Sequence, residues 1–312
     1  MGHPWLWIAA LIATLALGLG YQAYTRVDRP YLTERLPRHE AIVAGDATFP
    51  YRYRVLVPLA TEPVIRAVSP VLGRRAAFLF AYLAYDVLAL GVSLFGLAWL
   101  LGQLGHRAGE VLAGATLMAA LVPLTLQNQW YQPWSLLEPG LLAFGMGCAL
   151  RRDARGLLAL TVLACLNDER GIYLPLAALL AFPRARSSWT ACAAGLAIVL
   201  GLRLALGSAA AETTFADLKR TNTNPANLRA TVQAAVLLLG PLPLLTFAAR
   251  RATTPLRRAA WIVPLHLALV FAFGVWHEGR LWMSLYPILI PLAWQALFPP
   301  GPEPERKLSA AA

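Results

Sequence analysis

Charge is scarce in this chain: of 312 residues only 14% are charged, while 58% are hydrophobic. An average soluble domain carries about a quarter charged residues. No polar stretch is long enough to form a separate soluble domain. The net charge of +11 is scattered between apolar segments and makes no single basic face, which excludes a nucleic-acid-binding surface. Lysine is nearly missing, with two against 25 arginines. Arginine suits phosphate recognition because its fork is planar and always charged, and a G+C-rich genome produces the same bias. The three cysteines, Cys148, Cys165 and Cys192, lie in apolar segments, at a spacing that fits neither a metal site nor a disulfide framework. No P-loop, dinucleotide glycine pattern, Gly-x-Ser-x-Gly elbow or His-Glu-x-x-His motif occurs, so nothing points to nucleotide, serine-hydrolase or zinc-protease chemistry.

What the chain does have is long apolar runs from Trp5 to Phe298. A bilayer core needs roughly 20 apolar residues per helix. The runs predict an all-α polytopic membrane protein with about ten transmembrane helices. The expected spans are 4–24, 76–104, 111–126, 136–150, 156–166, 172–182, 189–206, 229–249, 259–275 and 281–298. The first run lacks the basic start and small-residue cleavage site of a signal peptide, and reads as helix one. One transmembrane domain, 1–300, is then followed by a tail, 301–312.

The loops fix the expected orientation. Gly105–Glu110, Arg151–Arg155, Pro183–Ser188, Arg250–Arg258 and the tail hold 12 arginines and lysines against four acids. Short basic loops stay cytoplasmic. Both termini are therefore expected in the cytoplasm, in a multi-pass protein of a bacterial cytoplasmic membrane. The remaining acids, apart from Asp86 inside helix two, fall on the outer side. The external loop 25–75 carries nine arginines, an exception that the rule tolerates because it weights short loops. Within it, Leu56, Leu59, Ala60, Ala67, Val68 and Val71 recur at helical spacing, with Glu62 and Arg66 opposite as an i,i+4 pair. That pattern predicts an interfacial amphipathic helix.

Helices five and six are about 11 residues each, too short at 1.5 Å per residue to cross the hydrocarbon. Their shared tip, Asn167 to Gly171, is expected below the outer surface, buried in protein or lining a wet cavity. Other outward features are Asp28 after helix one, the Asp46–Pro58 segment with Arg52 and Arg54, Glu138 near Trp130, Tyr131 and Trp134, and Trp276-His277-Glu278-Gly279-Arg280. Asp168, Glu169 and Arg170 occupy the tip. Acids, arginines and aromatics on one side suit a lipid-phosphate ligand. Arginine grips phosphate by paired charge-assisted bonds, carboxylates serve as bases, and indoles sit at headgroup level.

The layout and the stretch Phe49-Pro50-Tyr51-Arg52-Tyr53-Arg54-Val55-Leu56 resemble the GT-C class of polytopic glycosyltransferases. The stretch is similar to a segment of the eukaryotic GPI mannosyltransferase that adds the first mannose, and to bacterial relatives. The resemblance implies inverting transfer from a polyprenyl-phosphate-linked sugar donor on the outer face. Asp28 is the first choice of base and Asp46 the second. Arg52, Arg54, Glu138, Asp168, Glu169, Arg170, His277, Glu278 and Arg280 are candidates for substrate binding. Unlike many relatives with paired acids after helix one, Asp28 is followed by Arg29. Membrane lipid is the surrounding partner. No cofactor or metal ligand is assigned, and a divalent metal is left open. The competing class is a lipid or small-molecule transporter or flippase. Helices five–six and nine–ten form similar hairpins in the same orientation, not the inverted repeat common in transporters.

Overall fold

The computed structural model describes residues 4–48, 51–126, 133–207, 215–225, 227–229, 231–232, 250, 252–273, 278 and 280–299. No strand occurs among them. The helices are α1 (Pro4–Ala23), α2 (Leu32–Ala44), α3 (Leu56–Leu72), α4 (Arg74–Gln103), α5 (Ala108–Thr125), α6 (Trp134–Leu150), α7 (Ala154–Asn167) and α8 (Tyr173–Ala181). They continue with α9 (Arg186–Leu206), α10 (Phe215–Thr223), α11 (Thr254–Ala259), α12 (Ile262–Phe273), α13 (Arg280–Met283) and α14 (Tyr286–Leu297). Helix eight of the sequence reading, at 229–249, lies almost wholly outside the described residues, as do Trp130, Tyr131, His277 and the tail 301–312.

Among the described residues, five segments are long and apolar enough to cross a membrane: Trp5–Asp28, Arg74–Gln103, Ala108–Thr125, Arg186–Leu206 and Thr254–Ala272. Only 11% of the apolar window of Arg186–Leu206 is buried inside the protein. Trp7, Leu17, Leu88, Leu200 and Leu204 are likewise exposed. Apolar area of this extent on outward helix faces needs a lipid solvent. The chain is thus a membrane protein, built of helices among the described residues. The α6, α7 and α14 helices are apolar but shorter.

The long helix α4 is the hub, packing on α1, α3, α5 and α6. Its crossing with α6 is close. A Cβ on Gly140 would lie 2.9 Å from the Ser93 backbone, so only glycine fits there. Pro139 has no N–H to donate. Beside it, the Ser93 hydroxyl donates to the Leu136 carbonyl at 2.6 Å and accepts from the Gly140 N–H at 3.0 Å. One hydroxyl from α4 is spliced into the α6 ladder where an i→i−4 bond would run. The insertion sits one turn into α6, beside Glu138.

Two cores result. The main one joins α1 with α4–α8 and the C-terminal helices. A smaller one joins α2 and α3 to the first turns of α4 and to Trp134, through Ile42, Val57, Ile65, Phe78 and Tyr82. The 25–75 segment is therefore a packed cap holding two helices, where the sequence predicts one. It also corrects the expected facing of α3. Glu62 is buried, while Leu59, Ala60, Ala67 and Val71 are exposed. The Glu62–Arg66 pair forms at 2.7 Å, but its acid points inward.

Candidate functional site

The first charged network begins where α1 ends. The chain widens into a π turn over Tyr24–Asp28, closed by the Arg29 N–H on the Tyr24 carbonyl. Such turns re-aim the side chains that follow. Asp28 is consequently turned into the interior and is fully buried. Its Oδ1 pairs with Arg35 of α2, and its Oδ2 has no hydrogen-bond partner. Asp86 of α4 is buried beside it. Two acids and one guanidinium thus meet out of water, where a charge is tolerated only if paired.

Next on the buried face of α2 comes His39, one turn beyond Arg35. Its Nε2 lies 2.9 Å from Glu62 of α3 and its Nδ1 3.0 Å from the Tyr82 hydroxyl of α4. A neutral imidazole satisfies both, donating to the carboxylate and accepting from the phenol. Glu62 also accepts from Arg66 and from Arg74 at 3.1 Å. Arg74 in turn holds Glu40. This second cluster ties α2, α3 and α4 together.

Burial pushes the Glu62 carboxyl up, but hydrogen bonds from His39, Arg66 and Arg74 outweigh it and hold the pKa at about 2. Burial lowers the His39 pKa, and the bond to Glu62 opposes it without overcoming it. Both depressed values carry the same sign. The unfolded chain takes up protons that the folded chain refuses, so stability falls as pH falls. His39 contributes below its ordinary value of 6.5, and Glu62 from 4.5 down to about 2. Melting in detergent should therefore drop on acidification through this range. His39→Gln should flatten the upper part of the curve. A melting temperature constant from pH 7 to 4 contradicts the packing of His39 against Glu62.

The second network lies at the α7–α8 hairpin. The two helices have 14 and 9 residues, or ~21 and ~14 Å at 1.5 Å per residue, short of a ~30 Å hydrocarbon core. At their tip a Cβ on Gly171 would strike the Ala164 carbonyl, so glycine lets the turn fold back on α7. Asn167 and Asp168 are buried. The Asn167 amide donates to the Trp134 carbonyl at 3.0 Å, tying the tip to the start of α6. Arg170 forks onto Asp168 through Nε at 3.1 Å and Nη2 at 3.2 Å. It also reaches Glu138 at 2.8 Å and the Ser284 hydroxyl at 3.1 Å. Arg54, in the segment after a 3-10 turn at Tyr51–Tyr53, lies 3.4 Å from Asp168 and 4.9 Å over the Trp134 ring. Two acids and two arginines balance in charge. Arg54 makes the longest contact of the four.

The sequence candidates therefore divide. Arg54, Glu138, Asp168 and Arg170 meet in one cluster. Glu169 is half-buried and lies 3.4 Å from Arg203, whose guanidinium also caps the Tyr53 ring. Arg203 is thus held by protein groups. Arg52 and Glu278 are half-buried. Arg280 opens α13, with its side chain outside the described residues, and His277 lies outside them altogether. Asp28 belongs to the first network, and Asp46 is exposed just past the end of α2. The Tyr85 hydroxyl of α4 reaches the Pro133 carbonyl, and Tyr51 faces the Trp134 ring, so aromatic groups separate the two networks.

The sequence reading misses Arg35, His39 and Ser284. Arg35 and His39 are four apart on a helical segment, a spacing that could have exposed a polar buried stripe. Ser284 gives no signal of its own. No group of three His, Cys, Asp or Glu residues is arranged to hold a metal ion among the described residues. Comparisons with protein-family models, curated proteins and solved structures find no match.

Proposed function

We propose that the chain is an integral membrane transferase that moves a sugar from a polyprenyl-phosphate carrier to an acceptor at the outer face. The observation that carries the reading is the Arg54–Asp168–Arg170–Glu138 cluster. It joins the segment bearing the family resemblance to a hairpin tip on helices too short to span. A lipid phosphate entering between Arg54 and Arg170 would exchange part of their contact with Asp168 and Glu138 for contact with its own oxygens. Preorganised cations at a departing phosphate are the arrangement that speeds transfer most. Asp28, oriented through Oδ1 by Arg35, is the proposed base, and its second oxygen accepts the acceptor's proton. Asp46 is the second choice. Arg52, Glu169, Glu278, Arg280 and His277 complete the proposed binding surface.

The same proposal includes about ten spans, with both ends of the chain in the cytoplasm of a bacterial cell and the α2–α3 cap outside. The exposed apolar stripe of α3 rests on the lipid surface. In a cysteine-free background, single cysteines at Arg152 and at Glu169 should label from opposite sides of the membrane. Labelling from the same side overturns the span count.

The decisive assay is transfer of labelled sugar from a polyprenyl-phosphate donor by purified protein in nanodiscs, beside lipid movement in sealed vesicles. Transfer supports the reading. Lipid movement with no transfer from any donor assigns the chain to the flippase class instead.

A further inference from the structure

The opposite ends of α6 and α8 enclose a cavity of about 310 Å3 that neither network uses. That size is at the lower end for small-ligand pockets, ~300–1,000 Å3. It is lined by Arg152, Arg184 and Arg258 with Phe182, Ser187 and Ser188. None of the three arginines forms an ion pair with an acid among the described residues. The one acid on the segments 149–155 and 181–188 is Asp153, which caps α7 by accepting from the Gly156 N–H. The start of α9 also opens here with no side-chain cap, leaving first-turn N–H groups for an anion.

Arg152 supplies an independent sign. It adopts φ +59°, the one positive φ of a non-glycine among the described residues. Its N–H donates to the Ala149 carbonyl, and the Asp153 N–H to Cys148, which closes the end of α6 in the motif where glycine is usual. A left-handed arginine is disfavoured by its Cβ. Strain of this kind marks a place where a side chain is held for a purpose other than the turn.

Two exposed tryptophans flank the cavity. Trp189 and Trp261 are 60% and 69% exposed beside it. The Trp189 indole donates to the Pro183 carbonyl on the rim, and the Trp261 N–H donates to the carbonyl of Arg258. The Trp261 bond is made by its backbone N–H; the exposed Trp189 indole, with its polar end satisfied, is of the kind found at the membrane–water boundary. Basic pockets between helices at that boundary take anionic lipid headgroups.

We propose that this cavity binds the phosphate of an anionic phospholipid headgroup, on the face opposite the Arg54–Asp168 cluster. Three arginines and the uncapped α9 turn bind the phosphate, Ser187 hydrogen-bonds to it, and the acyl chains lie against the apolar helix faces outside. The inference needs only the membrane setting, so it stands or falls independently of sugar transfer.

The test uses the full chain in detergent, loaded with equal phosphatidylglycerol and phosphatidylcholine, with retained lipid measured by native mass spectrometry. Phosphatidylglycerol should be preferred by about tenfold or more, because both lipids offer the phosphate but only phosphatidylcholine sets a choline cation against the three arginines. Arg184→Gln with Arg258→Gln should remove the preference. Arg152→Gly should weaken it while melting at or above the wild-type temperature, because glycine relieves the turn. Equal retention of the two lipids, or a preference unchanged in the double variant, overturns the proposal. So does full displacement of the lipid by millimolar inorganic phosphate, which would make this a site for the free ion. A double variant that fails to fold leaves Arg152→Gly, and a preference unchanged there also counts against it.

Discussion

Asp28→Asn lowers sugar transfer by about 10²-fold or more while donor binding persists. Asparagine keeps the size and the contact to Arg35 but cannot take a proton. The oxygen at issue is Oδ2, which lacks a partner in the structure, whereas Oδ1 is occupied by Arg35. Arg35 remains buried beside Asp86, so the variant retains one acid to balance it. A drop in turnover with an unchanged melting temperature is therefore the signature of a lost base. A drop that tracks a lost fold is the signature of a structural pair. Asp46→Asn, on an exposed residue, is the parallel control. Activity that survives both substitutions removes the base assignment.

Asp168→Ala destabilises the protein by about 3–5 kcal/mol, the usual penalty for breaking a buried ion pair from one side. Asp168 is fully buried and touches both Arg54 and Arg170, and it also accepts from the Arg170 backbone N–H at 2.9 Å. Without it, the two guanidiniums lose the carboxylate they share. Unfolding in detergent measures the loss. The companion variant Glu138→Gln should cost less, because Gln keeps the size and an oxygen facing Arg170 while Asp168 keeps the charge. Equal stabilities for wild type and Asp168→Ala would mean that water reaches the cluster freely and screens it.

The apolar helices were legible because a bilayer imposes length and hydropathy together, though only five segments among the described residues are long and apolar enough to cross one. The expected apolar runs within the described residues are mostly helical, including the short pair at 156–166 and 172–182 that pointed to the buried tip, while turns at 260–261 and 284–285 divide the last two. The cap was less legible, for a single reason. Sequence patterns assume that polar side chains face water, and in the cap they face inward. The inner stripe of α2 is Arg35, His39 and Ile42, which defeats an apolar periodicity, so the helix went unseen. In α3 the periodicity was visible but its sense was reversed, with Glu62 inside and Leu59 and Val71 outside. Pairings across the chain were not legible at all. Nothing local to Asp86 points to Asp28, and nothing local to Glu138 points to Arg170. The Ser93 hydroxyl inside the α6 ladder depends on a crossing that only Gly140 permits.

The central claim is that Arg54 and Arg170 receive the phosphate of a polyprenyl carrier. The most direct measurement is photo-crosslinking of purified protein in nanodiscs with a polyprenyl phosphate bearing a photoreactive group beside the phosphate. The account predicts adducts on residues 51–55 and 168–171, lost on competition with unlabelled polyprenyl phosphate and reduced in Arg170→Lys, which keeps the charge but not the fork. Competable adducts confined to other segments, or labelling of 51–55 and 168–171 that polyprenyl phosphate cannot displace, would contradict it.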